Sequence, residues 1–269
     1  MNQMLGAPVQ PERFVIQPFN GTFFLVLGIH VMILVLLALF FRKKSEKTRR
    51  TAVVVIYLLG ILLFVVYKIF LSRDTAYSEI CAAAGKGGFT WWAELPLQLC
   101  NINLIMIPVA VLTMKRNLLS FAFFVAPLGA LFALVMPGIG FERYSFFLPR
   151  IAGYYITHFM VFLGGPALAA FGLYRPRFKD TIPTALTLLA VTFLIFLINE
   201  LLRVTGANPY SNYFFTNMTE GNAILEFCWC LIPVPFLYEI PLLLILVPFC
   251  LIVTSGFRLS EKIRKTRSA

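Results

Sequence analysis

One cysteine and one histidine stand out in a chain that is otherwise mostly apolar. Cys100 closes the run Glu94-Leu95-Pro96-Leu97-Gln98-Leu99-Cys100, and His158 lies in Gly153-Tyr154-Tyr155-Ile156-Thr157-His158-Phe159. A thiol and an imidazole are the nucleophile and base of covalent acyl chemistry. The sulfur attacks a carbonyl and holds the acyl group as a thioester, while the ring takes the thiol proton and returns it to the leaving group. Each type also has an ordinary use. A cysteine in an apolar helix is most often a small filler, and a histidine at membrane depth often serves only to hydrogen-bond between helices. The elements that carry the two residues decide between these uses.

Those elements are membrane spans. The chain has 269 residues, 59% of them apolar, with 28 phenylalanines and a mean hydropathy of +0.84. Charged residues are 13%, about half the usual ~25% of a globular domain. Apolar runs of about bilayer length fall at residues 22–41, 51–72, 95–114, 117–136, 150–174, 181–202 and 233–255, with a short interfacial helix at 223–232 before the last. The expected fold is an all-α bundle of seven transmembrane helices. It has an extracytoplasmic segment 1–21, a membrane domain 22–255 and a basic cytoplasmic tail 256–269. Residues 1–20 lack the basic start of a signal peptide.

Charge orients the bundle. Arg42, Lys43, Lys44, Lys47, Arg49, Arg50, Lys115, Arg116, Arg175, Arg177, Lys179, Arg258, Lys262, Arg264, Lys265 and Arg267 all fall on one face of a seven-span topology. Arg13, Arg73, Lys86, Arg143, Arg150 and Arg203 fall on the other. By the positive-inside rule the first face is cytoplasmic, and the N-terminus of a cell-membrane protein lies outside. The net charge of +11 is then mainly a topology signal. No folded basic surface points to nucleic acid, and anionic lipid is the natural contact of the basic loops.

With that topology, Cys100 lies ~8 Å and His158 ~12 Å below the outer face, at 1.5 Å per residue. Other polar residues share this outer half: His30, Lys68, Gln98, Asn101, Asn103, Asn199, Glu200 and Glu239. A polar set confined to one half of a bundle predicts a cavity near the outer surface. Gln98, Cys100, Asn101 and Asn103 share one broad stripe that should face the bundle. Tyr154 sits four residues before His158, so its phenol can lie beside the imidazole. Pro96 reads as the first turn of the third helix, Lys68 as a side chain snorkelling to headgroups, and Gly164-Gly165-Pro166 as a packing and kink device. Gly153 with Thr157, and Gly165 with Ala169, are small pairs that permit close helix contact. The 203–222 segment, with Asn212-Tyr213, is rich in turn formers and placed to cover the cavity.

Other chemistry has no signature. There is no P-loop, GxGxxG, GxSxG or HExxH. Two histidines and no suitable CxxC pair argue against a metal site, and no cofactor is expected. Five cysteines leave open a disulfide of Cys81 with Cys228 or Cys230.

The Leu95–Cys100 run, Thr157-His158 followed by Gly-Gly-Pro, and Asn212-Tyr213 before the last span together resemble the YwaF-like bacterial integral membrane proteins. These are similar to the animal transmembrane protein 164 acyltransferases and, more distantly, to membrane fatty-ester hydrolases. The resemblance runs from the first span to the seventh. It implies a Cys–His acyl transfer on lipid or fatty-acyl substrates, carried by motif onto Cys100 and His158. The bacterial pattern usually has histidine where this chain has Gln98.

The lead expectation is therefore a membrane acyltransferase with Cys100 and His158 catalytic. Gln98, Asn101, Tyr154, His30, Asn199, Asn212, Tyr213 and Glu239 would line the substrate cavity. A transporter or lipid-binding protein that uses the same cavity without chemistry stays open, as does a purely structural polar seam.

Overall fold

A computed structural model describes residues 14–138, 140–141 and 143–268, apart from the side chains of 264, 267 and 268. The first thirteen residues, with Arg13 and most of the expected N-terminal segment, lie outside the described residues. Ten α-helices follow one another, and among the described residues only one isolated bridge, Val15 to Ser145, is not helix or loop. They are α1 (Gly21–Phe41), α2 (Glu46–Leu71), α3 (Thr75–Ala83), α4 (Leu99–Thr113) and α5 (Arg116–Val135). After these come α6 (Pro149–Phe162), α7 (Gly164–Ala170), α8 (Thr181–Val204), α9 (Ala223–Leu231) and α10 (Leu243–Ser268).

The all-helical membrane fold is as expected, and the count of spans is refined. Among the described residues five stretches are long and apolar enough to cross a bilayer: α1, α2, α5, 178–204 and 237–263. α6 and α7, bent by 45° at their junction, make a sixth when the pair is counted as one broken span. The bend falls at Leu163, just before Gly164-Gly165-Pro166, where a proline nitrogen cannot continue the ladder. The expected third span begins four residues late. Gln98 is the extended N-cap of α4, and Leu95 to Gln98 are turned, so Pro96 is in the approach and not in the first helical turn. α4 is left with 15 residues, short for a full crossing. The interfacial helix appears as α9, and α10 runs on through the basic tail.

Hydrogen bonds sort the loops into two faces. At one, Ile16 N–H donates to Tyr144 O and Phe146 N–H to Phe14 O, pinning the approach to α1 onto the approach to α6. Asp74 caps α3 through Tyr77 N–H at 3.0 Å and pairs with buried Arg150 in the first turn of α6. At the other, Arg49 reaches Phe171 O at 2.7 Å and Arg50 reaches Val111 O at 3.1 Å. These arginines cover carbonyls at the C-terminal ends of α7 and α4, which helix geometry leaves without partners. Arg116, Tyr174 and the Arg177 N–H converge on Asp180 at 2.6–2.8 Å, closing the same face.

Close approach sets the centre. α2, α4, α5 and α6 pack on one another. A Cβ on Gly153 would come within 2.2 Å of Tyr67 Cβ, and one on Gly165 within 2.2 Å of Phe123 O. Both glycines let a neighbouring helix touch backbone, as their spacing with Thr157 and Ala169 suggests.

Candidate functional site

The face with Asp74 and Arg150 also holds a cavity of about 260 Å³. Four helices and the loops between them converge there. α2 supplies Tyr67 and Lys68 at its last turn, α6 supplies Tyr154 and His158, and α4 with its approach supplies Glu94, Leu95, Gln98 and Asn101. α3 adds Tyr77 and Cys81, and the 205–222 segment adds Asn212, Tyr213 and Glu220. Six of the ten expected site residues therefore line one space: His158, Gln98, Asn101, Tyr154, Asn212 and Tyr213.

Cys100 is adjacent to that space without lining it. It is the second residue of α4 and is 8% exposed. Tyr67 and Tyr154 lie within electrostatic range of its sulfur. Both rings line the cavity. Among the described residues no hydrogen bond joins Cys100 to His158. The N–H groups of Leu99, Cys100 and Asn101 precede the first intrahelical bond, Ile102 N–H to Gln98 O at 2.9 Å. They are the donors a helix start leaves free.

His158 is held by backbone. Its Nδ1 is 2.7 Å from Tyr154 O, and its ring stacks on the Tyr154 ring with centroids 4.0 Å apart. The Tyr154 hydroxyl instead donates to Ala133 O at 2.7 Å, so the phenol positions the imidazole by contact and not by hydrogen bond. A carbonyl can only accept, which puts the proton on Nδ1 and leaves the Nε2 lone pair for chemistry.

The loop residues are braces. Asn199, fully buried on α8, donates to Tyr213 O and Thr216 Oγ1 and accepts from Ser211 Oγ and Tyr213 N–H. Tyr213 in turn donates its hydroxyl to Trp92 O and accepts from Leu95 N–H at 3.1 Å. Gln98 Oε1 accepts from Phe214 N–H at 3.1 Å. Asn212 bonds Met218 O and Glu220, and Lys86 pairs with Glu220 at 2.7 Å. The expected cover over the site is thus a strap laced to the approach of α4.

Asn199 acts from behind the strap, and two further expected lining residues stand elsewhere. His30 faces Phe159 with ring centroids 5.5 Å apart and bonds Val26 O within its own helix. Glu239 lies beside Tyr238 and Cys228 in a separate cluster, and its Oε1 is buried with no hydrogen-bond partner. The angular position of all three depends on helix order, which one sequence does not encode.

The sequence reading missed the cavity's charged floor. Lys68 does not snorkel. Its Nζ pairs with Glu94 over the Tyr67 and Phe64 rings, and the Tyr77 hydroxyl donates to the second Glu94 oxygen at 2.9 Å. A lysine and a glutamate 26 residues apart, each at the same end of its span, were the available signal. All five cysteines are free, so no disulfide joins Cys81 to Cys228 or Cys230.

Comparison with known proteins completes the description. No curated protein and no solved structure matches the chain. The model of the TMEM164 family matches residues 18–258, from the approach to α1 into α10. This multi-pass membrane protein belongs to the TMEM164 family.

Proposed function

We propose that the protein is a membrane acyltransferase acting on lipid or fatty-acyl substrates, with Cys100 as nucleophile and His158 as base. The observation that carries this reading is the His158 tautomer. Nδ1 is committed to Tyr154 O, so Nε2 is the proton acceptor, and its ring lines a cavity together with Gln98 and Asn101, which flank Leu99 and Cys100 in the chain. The thiol proton passes to Nε2, the sulfur adds to an acyl carbonyl, and the ester C–O bond breaks as the proton returns to the leaving alkoxide. A second hydroxyl, of lipid or water, then attacks the thioester and restores the thiol. The free N–H groups at the start of α4 and the Gln98 and Asn101 amides are the oxyanion donors. Cys100 does not line the cavity, so this chemistry requires the buried thiol to become accessible from it.

A reading without chemistry has its own support. The cavity wall carries Lys68–Glu94 and Lys86–Glu220 and not the Cys100 sulfur. This suits a lipid-binding membrane protein. An activated acyl or fluorophosphonate probe separates the two in membranes. Acyl transfer predicts that Cys100→Ser and His158→Ala both abolish labelling while the protein still folds. Labelling that survives both substitutions rejects the Cys–His mechanism.

A further inference from the structure

A second concavity lies at the opposite face, in the hairpin of α1 and α2. Helices joined by so short a turn, residues 42–45, ordinarily pack along their length. Here α1 leans on α6 and α7, while α2 packs on α4 and α6. The hairpin is splayed and encloses a lateral groove of about 490 Å³. Leu37 and Phe41 form one wall and Ala52 and Val55 the other, with Lys47 and Thr51 at the loop end.

We infer that this groove binds one anionic phospholipid of the leaflet at the basic face, its acyl chain between the helices and its phosphate at Lys47 and Thr51. The groove opens beside Leu36, Leu39 and Phe40, large apolar side chains that a multi-pass protein presents to lipid. Charge selects the headgroup. Residues 42–50 hold six basic side chains and one acid, Glu46. Arg49 and Arg50 spend their guanidinium groups on carbonyls. Arg42, Lys43, Lys44 and Lys47 have no carboxylate partner among the described residues. Lys47 also stands in the first turn of α2, where unpaired N–H groups favour an anion. A neutral lipid would fill the walls and leave the cations unmatched, and a soluble anion would do the reverse. The site is independent of the cavity, because Lys47 and Lys68 are separated by ~32 Å along α2 at 1.5 Å per residue.

The test uses the full-length protein in nanodiscs of mixed phosphatidylcholine and phosphatidylglycerol, with retained lipid counted by native mass spectrometry. Wild type should retain phosphatidylglycerol in preference. Lys47→Ala should lower that preference about fivefold, the contribution of one basic side chain near a membrane surface. Ala52→Trp should lower it with every charge in place, and Lys43→Ala, outside the groove, should not. Equal losses in Lys43→Ala and Lys47→Ala would overturn the site in favour of general surface attraction, as would full retention by Ala52→Trp. Displacement of the lipid by inorganic phosphate alone would overturn the role of the acyl chain. If Ala52→Trp does not fold, the comparison of Lys47→Ala with Lys43→Ala decides.

Discussion

Lys68 and Glu94 show how costly a single side chain can be at this depth. Their side chains are only 10% and 13% exposed, and the pair closes the floor of the cavity. Removing one partner of a buried ion pair leaves a charge with nothing to balance it, at about 3–5 kcal/mol. Replacing both by neutral groups of similar volume is far cheaper. Lys68→Met and Glu94→Gln should therefore each lower the melting temperature of the purified protein sharply, and the double substitution should recover most of the loss. Additive losses in the double variant would mean that the two side chains do not depend on each other. The same logic covers Arg150, 4% exposed and paired with Asp74.

At the scale of elements, the strap over the cavity depends on α8 through Asn199. That side chain satisfies both the N–H and the C=O of Tyr213, whose hydroxyl then reaches the approach of α4. Asn199→Ala orphans the buried Tyr213 N–H at ~1–3 kcal/mol and leaves Tyr213 O with only the 3.4 Å bond from Thr216 N–H. Hydrogen exchange across residues 208–218 should accelerate in this variant, while exchange in α4 and α5 stays slow. Unchanged exchange in the strap would remove Asn199 from this role. The strap also marks how far the sequence was legible. Its turn-rich composition and its position before the last apolar stretch identified it as a cover. The lacing depends on pairs more than a hundred residues apart, such as Tyr213 with Trp92 and Phe214 with Gln98. No local pattern reports such pairs. The start of α4 was misplaced for a related reason: Leu95 and Leu97 continue the apolar run, yet their backbone turns to meet the strap. Conversely, the break before α7 was readable, because Gly-Gly-Pro acts through its own backbone. Angle around each span did not follow from the chain, so His158 and Tyr154 fell in the cavity while His30 and Glu239 fell elsewhere.

The whole molecule is polarised, and its orientation is open to a direct chemical test. Lys68–Glu94, Asp74–Arg150 and the strap share one face, and Arg49, Arg50 and the Asp180 cluster share the other. Sixteen of the 23 basic residues, those of residues 42–50, 115–116, 175–179 and 258–267, group with the second. The positive-inside rule predicts the cavity outside and the proposed lipid groove in the cytoplasmic leaflet. Cysteine accessibility reads this out. Cys230 on α9 is exposed, whereas Cys81, Cys100, Cys228 and Cys250 are buried. A membrane-impermeant maleimide applied to intact cells should label wild type, and Cys230→Ser should remove most of that signal. Cys81 shares the cavity face but reacts differently. Burial pushes its thiol above the ordinary cysteine range, so its thiolate fraction stays low near neutrality and grows only as pH rises past the usual thiol value. In the Cys230→Ser background the residual labelling from outside should therefore climb with pH, later than for a free thiol compound, and vanish in Cys81→Ser. Labelling of Cys230 only after the membrane is permeabilised would invert the bundle, placing the His158 cavity on the cytoplasmic side and the basic groove outside.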